Sequence, residues 1–182
     1  HRQKRFAGML TLAILALVMT VEVFSWGKYT EGARSFSDLI RQDTFGFYFK
    51  MLFAVAGFLV VFFTELQRGF DLRKMEGEYY ALLLISLLGM FLLVSAVNLL
   101  MLYVALEMIS ISSYILTGMI KDNRRSSEAA MKYILFGAVS SGIMLYGISM
   151  LYGFTGSLDY GMISIKSAGI HSTGLLVISA LI

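Results

Sequence analysis

The chain has 182 residues, 58% of them hydrophobic and only 15% charged, with a net charge of +3 and a mean hydropathy of +0.75. A soluble domain carries about a quarter charged residues, and a membrane barrel shows alternating segments of about ten residues; neither pattern is present, which leaves an all-α polytopic transmembrane helix bundle. The absence of Cys excludes a disulfide framework, a thiolate metal site and iron–sulfur ligation, and the two His residues, His1 and His171, lie too far apart in sequence to make a metal site by themselves.

The chain is expected to form a single transmembrane domain over residues 1–182. The basic RQKR start followed by an apolar run imitates a signal peptide, but there is no small-residue cleavage site and Val21–Phe24 continues the run. The first span is therefore placed at about 6–26. A polar loop, 27–46, follows, with a short interfacial turn expected at 37–40. The second span is about 47–66, and the charged loop 67–78 leads into an apolar run from Tyr79 to Ile120. That run has 42 residues, about twice what one crossing needs. Asn98 is the one strongly polar residue near its middle, so a tight turn there divides it into spans of about 79–97 and 100–120. After the turn 121–126 comes a span of about 127–152. A half-polar segment, 153–174, is expected along the interface. A sixth span begins near 175 and is cut off at 182. With no initiating Met and an end inside an apolar run, the chain is expected to be a fragment, truncated at both ends. No Pro occurs, so the spans should be mostly unbroken helix.

Orientation follows from the basic residues. Arg2, Lys4, Arg5, Arg68, Arg73, Lys74, Lys121, Arg124 and Arg125 share one side; Lys28, Arg34, Arg41 and Lys166 share the other. Nine against four places the first side, including the 121–125 turn, in the cytoplasm. The basic residues thus serve topology and give no indication of nucleic-acid binding. Lys50 and Lys132 are the two inside spans.

Two ionisable residues stand out. A carboxylate in a helix centre costs about 2.5–3.5 kcal/mol on insertion scales, and such residues mark function by default. Glu107 lies about 13 residues before the end of its span, roughly 20 Å from the cytoplasmic end, too deep for a short side chain to reach water. Tyr103, Glu107, Ser110, Tyr114 and Thr117 share its helix face, a polar stripe that should point into protein or a hydrated cavity. A structural, hydrogen-bonded carboxyl is the competing reading. For Lys132 two readings stand on the residues alone. It lies five residues into its span, where its stem can snorkel to the interface and pair with Glu128 at i−4; or it is a buried lysine whose proton affinity a carboxylate tunes. Depth counting separates Glu107 and Lys132 by roughly 10 Å along the helix axis, so a water-bridged link fits better than direct contact. Glu22, Glu65 and Lys50, near span ends, read as interfacial snorkelling. Gly137, Ser141 and Gly142 form a small-residue face suited to close helix packing.

The stretch from about Ala81 to Asp159 resembles the antiporter-like subunit N (subunit 2) of NADH:quinone oxidoreductase, respiratory complex I. The resemblance is carried by Leu106-Glu107 with its continuation SISSYILTG, and by RSSEAAMKYILFGAVSSGIMLYGISMLYGFTGS from Arg125 to Ser157. It implies that Glu107 and Lys132 match the family's glutamate and first lysine of proton translocation. Further lysines and a helix broken near a proline would then lie beyond Ile182, and the fragment alone should not pump. It also implies that quinone reduction elsewhere in the complex drives a change along the membrane arm that alters the lysine's proton affinity. NADH, FMN, iron–sulfur clusters and quinone would be bound by other subunits, with no cofactor in this chain. Its partners would be other membrane-arm subunits, lipid and protons, and its place the bacterial inner membrane. Two alternatives remain: a subunit of a multi-subunit sodium/proton antiporter or membrane-bound hydrogenase, and a structural scaffold whose buried charges only lock helices together.

Overall fold

The computed structural model describes residues 4–26, 34–35, 39–67, 75–120 and 122–168. Six helices run in chain order: α1 Lys4–Phe24, α2 Thr44–Leu66, α3 Glu76–Ser95, α4 Leu99–Thr117, α5 Arg124–Thr155 and α6 Tyr160–Ala168. The first five are long and apolar enough to cross a membrane. Two two-residue strands, β1 Arg34–Ser35 and β2 Ile40–Arg41, pair antiparallel in the loop before α2. The expected sixth span and residues 37 and 38 of the expected turn at 37–40 lie outside the described residues; Leu39 is in a turn and Ile40 in β2.

Consecutive helices pack as antiparallel neighbours, α3 against both α2 and α4, with α1 closing on α2 and α3 and α5 on α4. In lipid the hydrophobic effect does not drive helices together; small residues that let backbones approach do. Gly57, Gly89 and Gly118 are among the glycines that act in this way. A β-carbon at Gly57 would stand 2.6 Å from Leu87 Cδ1, one at Gly89 3.1 Å from the Ala105 carbonyl oxygen, and one at Gly118 2.9 Å from Ala130 Cβ. The best-filled region lies between α1, α2 and α3, where Leu15, Val61, Tyr80, Leu83 and Leu87 are buried together.

The helix bounds depart from the hydropathy-based spans where local chemistry decides the end. Asn98 turns the long apolar run by capping α4, its side chain accepting from Leu100 N–H at 2.8 Å. Gly118 stops α4 short of Ile120. Asn123 caps α5 early, and Gly156 ends it late in a left-handed conformation (φ 63°) that glycine adopts without strain. The resulting 32-residue helix is about 48 Å long, well beyond a hydrocarbon core of about 30 Å. Its polar start, Arg124–Glu128, forms the basic end of this helix.

At the opposite end three loops are hydrogen-bonded into one clasp. Val97 N–H donates to Leu39 O (3.2 Å), Leu99 N–H to Leu158 O (2.9 Å) and Tyr160 N–H to Val97 O (3.2 Å). Ile40 pairs with Ala96 and Asn98 with Asp159. The 96–98 segment thus lies between β2 and the α5–α6 turn, which is why α3 ends at Ser95 and not at Val97. Lys166 of α6 donates to the Thr155 carbonyl at 2.6 Å, placing a cation at the C-terminus of α5. Partial burial raises the Tyr160 phenol above its ordinary pKa.

Candidate functional site

Glu107 sits eight residues into α4 and ten from its end, about 12 Å from the clasp end and 15 Å from the basic end. The early stop at Gly118 makes the latter distance shorter than the roughly 20 Å expected, and the residue more central. Ala105, Met108 and Ile109 face α3 across Gly89. Glu107, Tyr114 and Gly118 lie on the opposite side of the helix by the 3.6-residue period, the side that meets α5. All five residues of the polar stripe, Tyr103, Glu107, Ser110, Tyr114 and Thr117, are half-buried, whereas Ile111 and Ile115 beside them are exposed. Among the described residues Glu107 has no hydrogen-bond or ionic partner.

Three contacts fix the register of α4 against α5. Gly118 meets Ala130, Ser113 Oγ lies 3.2 Å from the Tyr133 hydroxyl, and the Tyr114 hydroxyl occupies the hollow left by Gly137. The Tyr114 and Tyr133 rings meet edge to face at 4.6 Å. The same register puts Ser140 and Ser141 at the level of Glu107, and Lys132 at the level of residue 116. Nine residues at 1.5 Å then separate Glu107 and Lys132 by about 13 Å along the axis. The structure does not bring the two together; the Tyr114, Tyr133 and Ser113 hydroxyls lie between their levels.

Lys132 is instead paired with Glu128 at 2.6 Å, one turn back toward the basic end, with the two side chains 66% and 58% exposed. Helical side chains lean toward the N-terminus, and on α5 that direction leads to the basic end. Arg124, Ser127, Glu128, Met131 and Lys132 line a shallow groove there. Of the small-residue face, Gly137 receives Tyr114 but Gly142 faces open space.

Two snorkelling expectations are corrected. Lys50 is only 8% exposed and sits within the buried stripe of α2, Gly46, Phe47, Lys50, Ala54, Gly57 and Val61, so its head does not reach an open interface. Glu65 turns inward and accepts the Tyr80 hydroxyl at 2.6 Å, against Gly8 of α1. Glu22 is half-buried, and neither it nor Lys50 is free of a partner. Depth alone cannot reveal this inward turn; the four-residue rhythm of small residues on α2 is the signal that could have. Among the described residues no cluster of three His, Cys, Asp or Glu could hold a metal ion.

Residues 96–182 match the family model for the NADH:quinone oxidoreductase/Mrp antiporter transmembrane region, a stretch that contains both Glu107 and Lys132. NADH-quinone oxidoreductase subunit N of an Anaeromyxobacter species is 36% identical over 157 residues, covering 86% of this chain and 30% of the relative. Respiratory complex I from Thermus thermophilus with bound aureothin superposes with a TM-score of 0.71 at 30% identity, over 97% of this chain and 38% of that one. An archaeal membrane-bound sulfane sulfur reductase matches with a TM-score of 0.75 at 24% identity, over 88% of this chain and 34% of that one, a likeness of fold alone. The chain spans about 30% of the length of the curated relatives it matches. Five apolar helices, a central membrane carboxylate and these matches together place the chain in the antiporter-like membrane family of NADH:quinone oxidoreductase, in its subunit N branch.

Proposed function

We propose that this chain is part of a proton-translocating membrane-arm subunit of NADH:quinone oxidoreductase, and that Glu107 and Lys132 carry protons in it. The observation that carries the reading is the place of Glu107, near the middle of α4 on a half-buried polar face turned toward α5, within the stretch that matches the family. A carboxylate close to a lysine favours the charged amine, and moving it away favours release. Lys132 leans on Glu128 here, at the basic end. Transfer between Lys132 and Glu107 has about 13 Å of axial distance to cover, and the Tyr133, Ser113 and Tyr114 hydroxyls stand along that interval. The redox chemistry and its cofactors belong in this reading to other subunits of the complex, which are the partners proposed. The membrane is the bacterial inner membrane, with the 121–125 turn in the cytoplasm, as nine basic residues against four favour.

The test is Glu107→Gln and Lys132→Ala in the full-length protein within the assembled complex, in closed vesicles. Proton uptake per electron should fall at least twofold in each while the complex still assembles. Wild-type uptake in both would overturn the proposal and leave the charges as structural locks.

A further inference from the structure

A second intramembrane lysine–carboxylate arrangement exists on the other side of α3. Lys50 faces into the bundle, in register with the small residues through which α2 packs on α1 and α3. On α1, Gly8, Thr11 and Leu15 make the buried stripe, and Glu22 continues it, seven residues beyond Leu15 on the same face. Val21, Val23 and Phe24 beside it are exposed. The antiparallel register of α1 on α2 is fixed at both ends: Trp26 packs on Phe47 with ring centroids 4.4 Å apart, and Gly8 packs on Glu65. That register puts Glu22 across from residue 51, one position from Lys50. On α3, Gly57 against Leu87 and Gly46 against Val94 bring Ser95 within a turn of the same level. Ser95 Oγ is buried, in a residue 4% exposed, and has no hydrogen-bond partner.

Three helices thus carry an amine, a carboxylate and an unpartnered hydroxyl to one depth. No other charge approaches from α3, whose residues 90–95 are uncharged. The nearest acid along α2, Asp43, is engaged in accepting from Gly46 N–H at 2.7 Å and lies 3.9 Å from Arg41 Nε. Lys50 is about 9 Å from the start of α2 and Glu107 about 12 Å from the start of α4, both measured from the clasp end, so Lys50 lies somewhat closer to that surface.

We propose that Glu22, Lys50 and Ser95 form a second proton-handling site, serving the clasp end of the membrane as Lys132 serves the basic end. The inference rests on the proton-translocating reading above. In its step the Lys50 ammonium gives one proton to the Glu22 carboxylate: an N–H bond breaks, an O–H bond forms, and a neutral amine and a neutral acid remain. The acid then releases its proton toward the clasp end, and the amine takes up the next. Ser95 supplies a hydroxyl able to donate to or accept from either group.

The discriminating variant is Lys50→Arg in the full-length protein within the assembled complex. A guanidinium keeps the positive charge and the pairing but does not give up its proton. A proton-handling Lys50 predicts at least a twofold loss of protons moved per electron with normal assembly; wild-type pumping in K50R would overturn the proposal in favour of a structural ion pair. If K50R does not assemble, the double variant E22Q/K50Q decides: pumping at the wild-type level refutes a proton-handling site, and a twofold or greater loss in assembled complex supports it. Glu107→Gln measured in the same vesicles separates the two readings. Loss in E107Q with none in K50R removes the second site alone, whereas no loss in E107Q, K132A or K50R removes the translocation reading as well.

Discussion

Gly89→Leu tests the helix contact that sets the height and direction of Glu107. At position 89 a β-carbon meets Ile109 Cγ1 at 2.8 Å, the Ala105 carbonyl oxygen at 3.1 Å and Met108 Cβ at 3.2 Å. Ile109 can move its side chain, but the Ala105 carbonyl is backbone and cannot. Alanine would need an opening of a few tenths of an ångström and gains about 1 kcal/mol of helix propensity over glycine, so the two effects nearly cancel. Leucine adds three further carbons in the same space, and overpacking of this kind costs about 1–3 kcal/mol. Because α3 and α4 form the most extensive helix pair among the described residues, a value near 3 kcal/mol is expected. For a chain of this size that corresponds to a drop of roughly 6–12 °C in Tm. The assay is thermal unfolding in detergent, with Gly77→Ala as the control, because a β-carbon at the exposed Gly77 meets nothing within 4 Å. An unchanged Tm in G89L, or a drop in G77A as large as in G89L, would refute the reasoning that backbone approach at Gly89 holds this pair together.

Two further expectations concern polar contacts. Tyr80→Phe removes the hydroxyl that Glu65 accepts between α2 and α3 and leaves a half-buried carboxylate without it, at a cost of about 1–3 kcal/mol. Gly8→Ala displaces the same carboxylate, so the two changes should be less than additive in a double-mutant cycle measured by thermal unfolding. Glu128→Gln removes a pair whose members are more than half exposed, so its effect on stability should stay below about 0.5 kcal/mol. A larger loss of Tm would mean that the Lys132–Glu128 pair holds the fold rather than Lys132's proton.

The helix order was legible because hydropathy alone marks helices that cross lipid, and the Asn98 turn because one polar side chain interrupts 42 residues of apolar chain. The ends of α3 and α5 were not, since they depend on a clasp joining segments around residues 39, 97 and 159 and on the αL conformation of Gly156. The separation of Glu107 from Lys132 was legible in kind from counting residues; its size waited on the register set by Tyr114, Tyr133 and Gly118. Lys50 was misread because a long stem near a span end can snorkel, and only the packing of Gly46, Ala54 and Gly57 against neighbouring helices shows that its face points inward.

The central claim is that a carboxyl held in the middle of α4 passes protons, and its most direct measure is the number of protons moved per electron in vesicles containing the assembled complex with Glu107→Gln. The account predicts that quinone reduction by NADH continues at a measurable rate while protons per electron fall at least twofold. A wild-type ratio in E107Q, at equal assembly and equal membrane tightness, would contradict it.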